Sequence, residues 1–166
     1  MDSPDFSTLY RLLESNKLVK IVGSNSRCNF PEYMGGVFGL SRARFSRKNG
    51  KRIDLSALSI KYPETYKEII KIGEFYKFPH TSIQVNKNLT CPPHKDRSNV
   101  GDSLLVSFGQ YTGGEIVIDG VTKSAYHNPQ IFNGHNLTHY NLPHIGTKYS
   151  LVFFSIKLPP DAELPV

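Results

Sequence analysis

The stretch TSIQVNKNLTCPPHKDRSNVGDSLLVSFG, residues 81–109, decides the fold. It opens with a β-type run over 81–86, breaks at Pro92-Pro93, and resumes as a second β-type run over 103–109. The break carries His94 and Asp96, two positions apart. On an extended chain such side chains point the same way, so one imidazole and one carboxylate can reach a common ion. His-x-Asp alone describes many ordinary polar turns, so its weight depends on the downstream residues.

Beyond residue 109, short β-type runs continue over 115–118, 130–133 and 148–156, separated by Gly113-Gly114, Asp119-Gly120 and Asn133-Gly134. Three histidines, His135, His139 and His144, compete to join His94 and Asp96. Two imidazoles and one carboxylate on one face of Fe(II) leave open positions for a bidentate cosubstrate and dioxygen. That donor set suits ferrous iron better than calcium, which prefers an all-oxygen shell. His80 and His127 read as structural or solvent-facing. Lys148 and Ser150, two apart, share a strand face. Together they can hold the far carboxylate of 2-oxoglutarate by ion pairing and a hydrogen bond.

Upstream the pattern differs. The spacing of Phe6, Leu9, Tyr10, Leu12 and Leu13 predicts a helix over 4–15, and Pro63 with Tyr66, Ile69, Ile70 and Phe75 predicts another over 63–76. A short strand is expected at 18–22 and a loop-rich stretch over 23–36. Residues 36–52 combine strand-like alternation with a basic run, Arg42, Arg44, Arg47, Lys48, Lys51 and Arg52, around a hairpin tip at Lys48-Asn49-Gly50-Lys51. Two helices followed by many short strands predict a mainly β, α+β fold. Its core would be a double-stranded β-helix, or jelly roll, buttressed by the N-terminal helices. One domain is expected over 1–166, with a helical and basic part (1–78) and a jelly-roll core carrying the metal site (79–158). The tail LPPDAELPV reads as a loose extended end.

The 166 residues suffice for one core, and 39% hydrophobic with 20% charged residues is ordinary globular composition, which excludes wholesale disorder. A net charge of +6 attracts polyanions, nucleic acid above all, although a basic soluble surface would give the same number. Cys28 and Cys91 form no zinc spacing and fit a reduced, intracellular setting, with nucleus and cytoplasm not distinguished. The charged N-terminus does not resemble a signal peptide, and no apolar run reaches membrane-spanning length, so no membrane partner is expected. The sequons at Asn88 and Asn136 read as chance matches. A monomer is expected.

The segments 81–88, 94–99, 105–109 and 113–116, together with His139-Tyr140-Asn141-Leu142-Pro143 and Gly146-Thr147-Lys148-Tyr149-Ser150-Leu151, resemble the TET/JBP branch of Fe(II)/2-oxoglutarate-dependent dioxygenases. The resemblance covers roughly residues 80–157. It implies an enzyme that uses Fe(II), 2-oxoglutarate and dioxygen to hydroxylate a methyl group of a nucleic-acid pyrimidine, 5-methylcytosine or thymine, with DNA favoured over RNA. It selects His139 as the distal iron ligand, because in these oxygenases that histidine precedes the basic anchor by about ten positions and here stands nine before Lys148. In the family pattern H-x-D-x-x-N the asparagine faces the target base, a place that Asn99 occupies, though an asparagine there could equally close the turn. Asn86 falls in the cosubstrate pocket or at a strand end, and Arg42, Arg44 and Arg47 would contact phosphates. Phe38, Phe45 and Tyr33 could stack on a base, but read better as core. Lys148 stands where this branch has arginine, and the cysteine-rich zinc-binding region of animal TET enzymes is absent. Both departures keep hydroxylation of a protein side chain (prolyl, lysyl or arginyl) open as the alternative, while a non-enzymatic metal-binding jelly roll fits the full residue set poorly.

Overall fold

The computed structural model describes residues 3–22, 32–46 and 52–165. The element order is α1 (Ser7–Ser15), β1 (Val19–Val22), β2 (Glu32–Ser46), β3 (Arg52–Leu55), α2 (Ala57–Lys61), α3 (Pro63–Tyr76), β4 (Ser82–Lys87), β5 (Ser103–Gly113), β6 (Ile116–Ile118), β7 (Val121–Lys123), β8 (Gln130–Phe132), β9 (His139–Asn141) and β10 (His144–Phe154). Among the described residues the strands form two antiparallel sheets. The major sheet runs β1-β2-β4-β10-β5-β8, with β3 paired to β2, and the minor sheet runs β7-β6-β9.

Period-two alternation on the three central strands sorts the side chains. One face carries Ile83 and Val85 of β4, Leu104, Val106 and Phe108 of β5, and Tyr149, Leu151 and Phe153 of β10, all buried. Against it pack Phe6, Leu9 and Leu13 at α1 and Ile69 and Ile72 of α3, making the main core. The other face presents Gln84, Asn86, Leu105, Ser107, Lys148, Ser150 and Val152 toward the minor sheet. The register sets Asn86, Ser150 and Ser107 side by side across three strands. The helices thus buttress one face and leave the other free for polar chemistry.

The expected jelly-roll architecture with N-terminal helices is observed, and α3 spans the predicted 63–76. Several boundaries differ. The first helix begins at Ser7 rather than Pro4, where the Asp5 carboxylate accepts the Ser7 N–H at 2.9 Å. β2 already starts at Glu32, inside the stretch expected as loop, and runs through Gly35 and Gly36. A Cβ at Gly36 would lie 2.1 Å from a Leu58 methyl, so the glycine is what lets α2 lie on this strand. The tail is not loose: the Ile53 N–H donates to the Glu163 carbonyl, and Leu158 and Ala162 pack on Leu40, Ile53 and Ile156. Cys91 is buried and disulfide-bonded, in contrast to the expected reduced thiols. The hairpin tip 48–51 lies outside the described residues, although Ser46 and Arg52 on either side of it pair as the hairpin requires. Among the described residues, no helix is long and apolar enough to cross a membrane.

Candidate metal centre

His94 and His139 are cross-strand partners. Each donates its backbone N–H to the other's carbonyl at 3.0 Å, which ties the 92–99 segment to β9. Their ring centroids stand 4.3 Å apart. Each ring uses Nδ1 against a carbonyl two residues back, His94 to Pro92 at 2.8 Å and His139 to Leu137 at 2.9 Å. A carbonyl only accepts, so Nδ1 carries the proton and Nε2 is the nitrogen that can present a lone pair to a metal. Both Nε2 atoms face Asp96, His139 at 3.1 Å from Oδ2 and His94 at 3.6 Å from Oδ1. All three ligand atoms lie within 4.8 Å of one another. A first-row divalent cation with bonds of about 2.1 Å sets neighbouring ligand atoms at right angles about 3 Å apart, close to these separations. The donor set and the tautomers therefore fit Fe(II).

Gly134 forms the floor of this cluster. Its carbonyl accepts the Asp96 N–H at 2.7 Å, and a Cβ on it would lie 2.9 Å from Asp96 Oδ2 and 3.3 Å from the His139 ring. In the sequence Asn133-Gly134 is only a turn signal, and nothing there marks its second role.

The ligands open into a cavity of about 360 Å³. Its wall includes Asn86, Ser150, Asn99, Gln84, Phe132 and Phe154. Gln84 Nε2 donates to Asn86 Oδ1 at 3.0 Å, which fixes the Asn86 amide with its oxygen toward Gln84. Asn99 lines the cavity, and its amide approaches Ser103 Oγ at 3.5 Å. The cavity is thus bounded by the metal ligands at one end and by the polar row of the major sheet along its floor.

Lys148 is buried at 3% exposure beyond that row. Its Nζ donates to the Gly114 carbonyl at 2.9 Å and lies 5.8 Å from the centre of the Tyr111 ring. Burial pulls its pKa down to about 8, partly opposed by Glu115. Burial likewise raises the Tyr111 hydroxyl to about 12.

The other histidines lie apart from this cluster. His135 is exposed and pairs through Nδ1 with the Arg97 carbonyl at 3.0 Å. His144 sits at the Lys148 end, its Nε2 donating to Asn88 Oδ1 at 3.3 Å. His80 meets Phe153 edge to face and His127 stacks on Tyr126, as structural residues do. Phe38 is wholly buried in the core. The backbone at Arg42 and Arg44 belongs to β2. Their side chains, those of Phe45 and Tyr33, and Arg47 altogether lie outside the described residues.

A double-stranded β-helix with two histidines and an aspartate at the mouth of its interior is the architecture these observations define. The fold is shared with solved structures, among them these two. One is a 2OG-Fe(II) oxygenase family oxidoreductase from Burkholderia pseudomallei, 17% identical, with a TM-score of 0.59 over 90% of this chain and 77% of the other. The second is NgTET1 in complex with 5mC DNA, 14% identical, with a TM-score of 0.54. That match covers 78% of this chain and 63% of NgTET1. No family model and no curated protein matches the chain.

Proposed function

We propose that this protein is an Fe(II)- and 2-oxoglutarate-dependent dioxygenase whose substrate is a methyl group on a nucleic-acid pyrimidine. The observation that carries the reading is the His94, Asp96 and His139 cluster, tautomers set for a metal, opening into a cavity whose polar floor leads toward a buried lysine.

His94, Asp96 and His139 hold the iron. Lys148 and Ser150 hold the far carboxylate of 2-oxoglutarate, and the Asn86 amide, turned by Gln84, donates to its oxygens. Bound there, iron with dioxygen supplies the oxidising power: substrate C–H, 2-oxoglutarate and O2 become substrate C–OH, succinate and CO2. The protein's part is to bind, orient and keep water from the reacting carbon. Apolar walls from Leu105, Ile116, Val152 and Phe154 serve the last purpose.

Three observations support a nucleic-acid substrate. Asn99 stands on the cavity wall near the metal ligands, where an amide can both donate to and accept from a base edge. The net charge is +6, with a dense basic run over 42–52. One of the solved structures sharing the fold holds 5mC DNA. A base within a duplex would have to be flipped out to reach the iron. The test is succinate release with methylated and unmethylated DNA, RNA and a peptide panel. Release that depends on methylated nucleic acid supports the reading, and release with peptides alone overturns the choice of substrate in favour of side-chain hydroxylation.

A further inference from the structure

β4 ends one residue short of the rung that matters. Its pairing with β10 runs from Phe154↔Ser82 to Tyr149↔Lys87, and the next rung belongs to Lys148. There Asn88 turns into the left-handed region, φ 59°, which takes its own carbonyl out of the ladder. Its N–H still donates to the Lys148 carbonyl at 2.7 Å. The reciprocal bond is made by the side chain: the Lys148 N–H donates to Asn88 Oδ1 at 2.9 Å. The same oxygen accepts from His144 Nε2 at 3.3 Å, four residues earlier on β10. On its other side Lys148 pairs with Gly109 of β5.

We infer that Asn88 is the positioning residue for Lys148, its side-chain oxygen standing in for the strand carbonyl and fixing the backbone from which the ammonium reaches the cosubstrate. The inference rests on Lys148 being the cosubstrate anchor. Two demands meet at position 88, a left-handed backbone and a short side-chain acceptor, and asparagine and aspartate are the side chains that satisfy both. Lys148 is held at both ends, its N–H by Asn88 and its Nζ by the Gly114 carbonyl, so a shift of its backbone is passed on to the ammonium. Asn88 also contacts His144, one of the competing histidines, which β10 places at this end of the barrel.

The test is calorimetric titration of 2-oxoglutarate into the Fe(II)-loaded protein without oxygen, alongside a separate measurement of iron affinity. Asn88→Gly keeps the backbone conformation and loses the acceptor; it should weaken 2-oxoglutarate binding about tenfold and leave iron affinity within about twofold. Asn88→Asp keeps the acceptor and should stay within about threefold of the parent on both. Lys148→Ala distinguishes a failure of the anchor from a failure of its positioning. If Lys148→Ala binds 2-oxoglutarate like the parent, the anchor reading itself is wrong. If Lys148→Ala weakens binding while folded Asn88→Gly does not, only the role of Asn88 is overturned. Should Asn88→Gly fail to fold, a tenfold weakening in folded Asn88→Asp overturns it instead.

Discussion

Lys148 offers the sharpest quantitative test of the proposed chemistry, in which an anion is held by a cation that burial has made easy to deprotonate. With the ammonium's pKa near 8 in the free protein, about nine-tenths of the molecules carry the charge at pH 7 and about one-tenth at pH 9. Apparent affinity scales with the competent fraction, so 2-oxoglutarate binding should loosen about tenfold between pH 7 and pH 9. The dicarboxylate favours the charged lysine, so binding at pH 9 should take up close to one proton. Calorimetric titrations in two buffers of different ionisation heat measure both quantities. Lys148→Arg keeps its charge throughout this range, so whatever its absolute affinity, its pH profile should be flat. A flat profile in the unmodified protein from pH 7 to 9.5, with no proton uptake, would mean that Lys148 either stays charged or does not touch the cosubstrate.

Removing a metal ligand, His94→Ala or Asp96→Ala, should abolish succinate release while circular dichroism and the melting transition show a folded domain; wild-type turnover in either variant would exclude the centre. Gly134→Ala places a methyl 2.9 Å from Asp96 Oδ2 and should weaken iron binding at least about tenfold, read by competition with a chelator. Lys148 also couples stability to pH. Its folded pKa lies below the unfolded value, so the unfolded chain binds more protons between about pH 8 and 10.5 and stability rises across that window. That contribution is lost as pH falls through about 8. Lys148→Met removes the buried charge and should hold or raise the melting temperature at pH 7 while abolishing 2-oxoglutarate binding; a large drop in melting temperature would show that the lysine stabilises the fold.

How legible each element is in the sequence depends on whether its cause is local. β4, β5 and β10 alternate between a helix-covered face and an interior face, so period two is written plainly into Ile83–Val85, Leu104–Phe108 and Tyr149–Phe153. α3 has a proline at its first position and one apolar stripe. β9 has no such signature. His139-Tyr140-Asn141 is a strand because β6 and His94 pair with it, a tertiary cause that no local pattern records. β2 is obscured by Gly35 and Gly36, which look like loop and are there to let neighbouring chain come close. The same division holds in the site. His94 and Asp96 follow from their spacing, while His139 is separable from His135 and His144 by resemblance alone. Gly134 and Asn88 read as a turn residue and a sequon because their work is to fill a shape that exists only in the folded chain.

The two ends of the cavity are also built with unequal support, which has a measurable consequence. Ser150 lies on β10 paired on both sides, while Lys148 pairs with Gly109 on one side and is held by Asn88 on the other, and Tyr149 and Leu151 behind them are fully buried. Their positions follow from the core, with or without a ligand. The candidate iron ligands stand on a three-residue strand, an isolated bridge and a loop anchored by the Gly134 carbonyl. Asp96 faces two imidazoles across that loop, so a cation there would be a structural part as well as a reagent. Metal binding to a folded site stabilises whatever opens without it. Hydrogen exchange should therefore separate the two ends. Adding Fe(II) without oxygen should slow exchange at the His94, Asp96 and His139 amides and leave Leu151 and Phe153 unchanged, since those report core opening. Equal protection across both groups would mean that the metal end is as rigid as the core before iron arrives. In that case its geometry would owe nothing to the ion, and the short strand and the bridge would be a complete account of what holds it.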